Sequence, residues 1–387
     1  MNNKFFSTAL CFLLLLVCAP RAASSQTLRD DMQKLYGVAS ELFGYAWDKK
    51  KFEDPRSNAR IIELLNTLST DFHQVRTDAP ITMFEPGFAE VLKTTEQTLS
   101  DIERRFREGD RDYARWQLRG LTANCIACHS RMDVKSDFAG KILLPDDDSF
   151  ESRFASAEFL MATRQFDKAS DALYRLASGS GNKFPGQHDA FRALKMWLVI
   201  EARVKNRPST SISKLKSLLE KEKFSEDQEA AIQQWIEDLG SPQPKEPSVK
   251  SAQKLLEPVI GATAVQDHEA HLVTTLWATS ELHELLAGKL SPNHRRTATY
   301  LLAVAYNCVP ILSFEVYRPL YLERTIRMFP NTPEAQKAFV MYQEYIEFMN
   351  SGSGGVHLER EDMERLRELR HLAFGKPELV IPDTFRF

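Results

Sequence analysis

Cys125, Ile126, Ala127, Cys128 and His129 follow one another directly, and together they place two thiols and an imidazole at a fixed spacing. On a helix the thiols lie one turn apart, where they can add across the two vinyl groups of a haem, and the residue that follows offers its imidazole to the iron. The five residues therefore read as the attachment site of one c-type haem, with Cys125 and Cys128 as thioether anchors and His129 as the proximal iron ligand. Two other chemistries use the same residue types. A structural zinc site needs two more soft ligands at related spacing, and the only other cysteine past residue 18 is Cys308, with no partner motif around it. A dithiol redox motif follows a strand in a βαβ pattern, and nothing near Cys125 reads as β.

The start of the chain agrees with the haem reading. Lys4, an apolar run from Phe5 to Ala19 and the small residues Ala22, Ala23, Ser24 and Ser25 make residues 1–25 an export signal. Haem is attached covalently outside the bacterial inner membrane, so the expected location is the periplasm of a Gram-negative cell. Leu15-Leu16-Val17-Cys18 is a poor lipoprotein signal, because valine stands where a small residue is needed, and anchoring by lipid or by an uncleaved signal is the lesser alternative. Cys11 and Cys18 leave with the signal. Cys308, inside the apolar run Leu301 to Leu312, reads as a buried inert thiol. With 50 basic and 53 acidic residues the net charge is −3, and loss of Lys4 and Arg21 makes the mature chain more negative. No basic patch suits nucleic acid, and no later apolar run is long enough to span a bilayer.

Four segments position the motif. Apolar residues step alternately by three and four through Leu28, Met32, Leu35, Ala39, Leu42 and Ala46, then Ile61, Leu65, Leu68, Phe72 and Val75. They continue through Phe88, Leu92, Thr95, Leu99, Ile102 and Phe106, and lastly Ala114, Leu118, Leu121, Cys125, Cys128 and Met132. Such stripes are the buried faces of amphipathic helices that meet at shallow angles. Pro55 and Pro86 stand at helix starts, and Gly109-Asp110 breaks the third segment from the fourth. Short connections then give an all-α, up-down-up-down four-helix bundle over residues 26–135, with both cysteines on the inward stripe of the last helix and the haem in the bundle core.

Residues from about Thr27 to Asp133, under a third of the chain, resemble the cytochrome c-prime group, bundle cytochromes whose C-x-x-C-H lies late in the fourth helix. The resemblance implies that His129 is the proximal ligand and that a residue on the first helix, here Met32, faces the other side of the haem. It also implies a basic partner for the propionates, with Arg29 and Arg131 as candidates, and a homodimer through the first two helices. His73 and Met83 are weaker rivals for the distal position. Iron ligation by Met32 would give a low-spin haem suited to electron transfer, whereas Met32 as a packing residue would leave the distal face open to a small gas.

Beyond residue 150 the pattern stays helical but changes character. Phe154-Ala155-Ser156-Ala157 through Phe166-Asp167-Lys168-Ala169 to Leu176 resembles a tetratricopeptide helix pair, and residues 150–239 read as a helical-hairpin array. Ser225 and Gln228 are spaced as a capping box. Residues 240–250, with Pro242, Pro244 and Pro247, exclude helix and strand and read as a linker to a C-terminal helical region, 251–375, and a tail, 376–387. In that region Ser291-Pro292 and Thr332-Pro333 each pair a cap residue with proline at the first helical position. His268, His271 and His283 share one predicted helical stretch, but His283 lies about 18 Å beyond His271 along a straight helix, too far for one ion. Ser351 to Gly355 reads as a flexible turn, since no lysine follows as a phosphate loop requires.

No nucleophile and base stand at a defensible spacing, so no enzymatic site is expected outside the haem. The expected protein is an exported monohaem c-type cytochrome that passes single electrons to a periplasmic redox partner, with the helical region as the docking part. Two alternatives are a haem-based sensor of nitric oxide or carbon monoxide, and a periplasmic interaction scaffold in which the haem is structural.

Overall fold

A computed structural model describes residues 20–78, 86–131, 149–179, 186–243, 246–262 and 264–375. The apolar core of the expected export signal, Met83 and the tail 376–387 lie outside the described residues. The structure is all-α, 81% helical, with helices packed in sequential pairs. Among the described residues the one β pairing is the two-residue antiparallel hairpin in which Ser351 faces Val356 and Gly352 faces Gly355.

The chain forms two compact units that meet in sequence between Leu121 and Thr122. The first holds α1 (Pro20–Trp47), the short α2 (Lys49–Glu53), α3 (Asn58–Asp78), α4 (Pro86–Glu108) and α5 (Arg111–Gly120). The long helices α1, α3 and α4 each pack against the next, α4 packs against α5, and α5 returns to α1. The stripes dictate this: Leu35, Leu42, Ala46, Ile61, Leu65, Leu68, Val75, Leu92, Thr95, Leu99, Ile102, Phe106, Ala114 and Leu118 are all buried. Gly109 separates α4 from α5 with a φ of +92°, a conformation that costs a glycine little.

One expectation changes here. The fourth segment is not a single helix: α5 stops at Gly120, Leu121 N–H bonds back to the Leu118 carbonyl, and a separate helix, α6 (Thr122–His129), carries the motif. Glycine is a poor helix former, and past Gly120 the buried positions become Thr122, Ile126, Ala127, Cys128 and Ser130, while Cys125 is only half-buried. Of the expected stripe Leu121 and Cys128 stay buried and Cys125 does not, while Ile126 and Ala127 join the buried face. The reason is that α6 packs on elements of the second unit, so Cys125 and Cys128 do not continue the inward stripe of a fourth bundle helix.

The second unit runs through α7 (Phe150–Ala162), α8 (Phe166–Ser178), α9 (Gln187–Leu198), a π-helical segment (Val199–Val204), α10 (Pro208–Leu219) and α11 (Glu226–Gly240). It continues through α12 (Val249–Leu256), α13 (Val265–Ala270), α14 (Leu272–Ala287), α15 (Pro292–Cys308), the 3-10 turn Leu312–Phe314, α16 (Tyr317–Met328), α17 (Pro333–Met349) and α18 (Arg360–Phe374). The proline-rich stretch does not divide it. Trp235 Nε1 donates to the Glu269 carbonyl at 2.7 Å, Lys195 pairs with Glu269 at 2.6 Å, and Trp277 Nε1 donates to the Ala202 carbonyl at 3.2 Å. Helices before and after residues 240–250 therefore share one core.

The caps follow the sequence. Ser291 and Thr332 accept from the His294 and Ala335 N–H groups. The Ser225 hydroxyl accepts from Gln228 N–H at 3.4 Å, and the Gln228 side chain accepts from Ser225 N–H at 3.2 Å. Ser225→Ala is expected to lower the stability of this unit by about 1 kcal/mol, read as the denaturant midpoint at unchanged slope.

Candidate haem-attachment site

Helix α6 is eight residues long, too short to hold itself in water. Tertiary packing sets it: the helix lies against α7 and against the 3-10 turn Leu312–Phe314. Ile126 and Ala127 are fully buried and Cys128 nearly so. Cys125 and His129 are half-buried.

The end of α7 fixes the histidine. The helix starts at Ser149, whose hydroxyl accepts from Ser152 N–H. It stops where Arg164 takes a left-handed conformation, φ 58°. In that closing turn Thr163, Arg164 and Gln165 N–H groups go to the carbonyls of Phe159, Met161 and Leu160, the pattern by which helices satisfy their last carbonyls. The Ala162 carbonyl is taken by His129 Nδ1 at 2.5 Å. A carbonyl only accepts, so Nδ1 carries the ring proton and donates. Nε2 is then the basic nitrogen. The donor also meets the negative end of the α7 dipole.

Burial, with the Arg164 guanidinium adding to it, pushes His129 down to about 4, so the ring is neutral at ordinary pH, the form that binds a metal. Burial, with the neighbouring Cys128 thiol adding to it, pushes Cys125 up to about 12. A redox dithiol needs the opposite shift. Among the described residues no three His, Cys, Asp or Glu side chains converge on one point, which is what a closed zinc site would require. Two thiols on one turn, a neutral imidazole and an oriented Nε2 fit a covalently held haem.

Other candidates fall elsewhere. Met32 and Arg29 lie on α1 in the first unit, Met32 half-buried and Arg29 exposed, while His129 belongs to the second. His73 is exposed on α3, where it meets Arg76 and Glu96. Arg131 follows α6 within the second unit, its Nη1 lying 3.0 Å from His283 Nδ1 and 3.4 Å from the Tyr321 hydroxyl. His268, His271 and His283 sit on α13, between α13 and α14, and on α14. Cys308 is buried, its thiol pushed up to about 12 by burial.

Sequence reasoning missed what surrounds the motif. Tyr306, Tyr317 and Tyr321 are buried beside it with His283, and the Tyr317 hydroxyl reaches 3.9 Å from Cys128 Sγ. These residues come from α14, α15 and α16, far along the chain, and carry no motif of their own. The Ala162 carbonyl is backbone, which no residue type announces. No family model, curated protein or solved structure matches this chain, so the reading of its function rests on the motif and on the bonds that hold it.

Proposed function

We propose that the protein is an exported monohaem c-type cytochrome that carries single electrons. Cys125 and Cys128 hold the haem through thioethers, and His129 Nε2 binds the iron. The bound group supplies a one-electron couple whose potential is set by its axial ligands and the hydrogen bonds behind them. The chain's own part is to fix the ring: a histidine that binds metal through one nitrogen gives its other N–H to a carbonyl or carboxylate, which sets tautomer and orientation. The Nδ1 bond to Ala162 is that feature, and it is the observation that carries the reading.

On this reading α1, α3, α4 and the shorter α5 form a four-helix bundle of the cytochrome c-prime kind, with the motif on the separate helix α6. The tetratricopeptide-like helical pairs offer a surface to a periplasmic redox partner. Arg131, in the same unit as His129, is the candidate for a propionate, whereas Met32 and Arg29 belong to the other unit.

The test is expression in a bacterium that assembles c-type cytochromes, followed by denaturing electrophoresis with haem staining. The expected result is haem that stays with the polypeptide, and its complete loss in Cys125→Ala/Cys128→Ala. A wild-type chain that emerges without haem while a control cytochrome from the same cells is loaded would overturn the proposal.

A further inference from the structure

A covalently held haem is wider than the helix that carries it, and α6 has little left with which to cover one. Of its eight residues, Cys125, Cys128 and His129 serve attachment, and Ile126 and Ala127 are fully buried in the protein. Cys125 and His129 stay half-buried. The apolar faces of a bound porphyrin must therefore be kept from water by neighbouring elements.

The elements that pack most closely on α6, all within the second unit, are α7 and the 3-10 turn Leu312–Phe314. Helix α7 leaves no large apolar side chain exposed. The turn leaves one. Leu312 is 80% exposed, more than any other large apolar side chain among the described residues, while Ile311, Ser313 and Phe314 around it are buried.

The turn is held tightly, so this exposure does not come from a slack loop. Phe314 N–H closes on the Ile311 carbonyl and Glu315 N–H on the Leu312 carbonyl, both at 3.0 Å. The Phe314 ring is buried with the Arg203 guanidinium 5.2 Å from its centroid and the Tyr306 ring at 6.2 Å. Ser313 Oγ lies 4.0 Å from Met196 Sδ. With its neighbours fixed inward, Leu312 is held out. A lone exposed leucine is ordinary on a protein surface; the place of this one sets it apart. It stands on an element that packs against the motif helix, and Tyr317, three residues past Phe314, brings its hydroxyl to 3.9 Å from Cys128 Sγ.

We propose that Leu312 packs against a face of the porphyrin held at Cys125, Cys128 and His129, so that residues 312–314 form a wall of the haem pocket within the second unit. This rests on the cytochrome reading above. The contact is apolar and its work is to exclude water from that face, and burial is one of the levers that set the potential of a haem.

The test is a methyl magnetic-resonance spectrum of the haem-loaded full chain with its leucine methyls labelled, reduced under carbon monoxide so that the iron is low-spin and diamagnetic whichever group fills its sixth position. Leu312→Ile removes one leucine's signals, keeps the apolar bulk and so assigns Leu312. Its methyls are expected far upfield of the ordinary range, displaced by the porphyrin ring current, and back within that range in haem-free Cys125→Ala/Cys128→Ala. Leu312 methyls at ordinary positions in the loaded protein overturn the proposal and make Leu312 free surface for a partner. A second variant reads the contact without any assignment. Leu312→Glu is expected to lower the midpoint potential, because a carboxylate against the porphyrin favours the oxidised iron, while Leu312→Ile keeps it; equal potentials in wild type and Leu312→Glu count against the proposal. Haem staining is run on the same samples. A chain without haem sinks the cytochrome reading, whereas a loaded chain with unshifted Leu312 methyls sinks only the place given to Leu312.

Discussion

Replacing His129 with alanine is expected to abolish the native visible spectrum of the haem-loaded protein while leaving some haem covalently attached. The thioethers belong to Cys125 and Cys128, which the substitution does not touch. The iron loses its nitrogen ligand, so the spectrum is expected to become that of a high-spin haem, and added imidazole is expected to restore the original bands, because the vacated volume is that of the lost ring. The same change strips the Ala162 carbonyl of the donor that His129 provides at 2.5 Å. A buried acceptor left without its partner costs about 1–3 kcal/mol, and imidazole binding is expected to recover part of it. Two readouts thus separate the roles: the spectrum reports the iron ligand and the denaturant midpoint reports the anchor to α7. A variant with the parental spectrum would remove His129 from the iron. The companion measurement is carbon monoxide added to the reduced protein. An unchanged spectrum is expected for electron transfer, and a shifted one would favour the gas-sensing alternative.

Periodicity made the helices legible and motif chemistry pointed to a candidate site, each where the information is local. The buried faces of α1, α3 and α4 can be read directly from steps of three and four, because a helix in a small unit has one wet face and one dry face. The caps at Ser225, Ser291 and Thr332 follow from residue type and spacing alone. The motif helix was read wrongly at one point for a definable reason. Its stripe runs on from α5 in phase, and past the break at Leu121 Ile126 and Ala127 join Cys128 in the buried set while Cys125 is left half-buried, which apolar periodicity cannot register because Ile126 and Ala127 are as apolar as the stripe itself. The neighbours of Cys128 were invisible for another reason. Tyr306, Tyr317 and His283 stand on helices that read as ordinary buried faces, and their chemistry arises only when α14, α15 and α16 come together beside α6.

The linker shows the same limit from the other side, and Trp235→Ala measures it. Three prolines between Gly240 and Ser248 do end the helix, as local chemistry requires, yet ending a helix says nothing about whether the next one packs on what came before. Trp235 answers that question. Its side chain is fully buried, it stacks on Phe191 with ring centroids 5.3 Å apart, and its Nε1 donates across the linker to the Glu269 carbonyl. Truncation to alanine removes the stacking partner, leaves a cavity and strands the Glu269 carbonyl, so the expected loss is about 3–5 kcal/mol. For a unit of this size that corresponds to a fall of roughly 10 °C in the Tm of the second unit. The shape of the transition carries the argument further. If the helices on both sides of residues 240–250 form one core, the variant unfolds in a single transition moved to lower temperature, followed by circular dichroism and tryptophan fluorescence together. If the prolines separated two bodies, only part of the helical signal would move and the rest would melt where it did before.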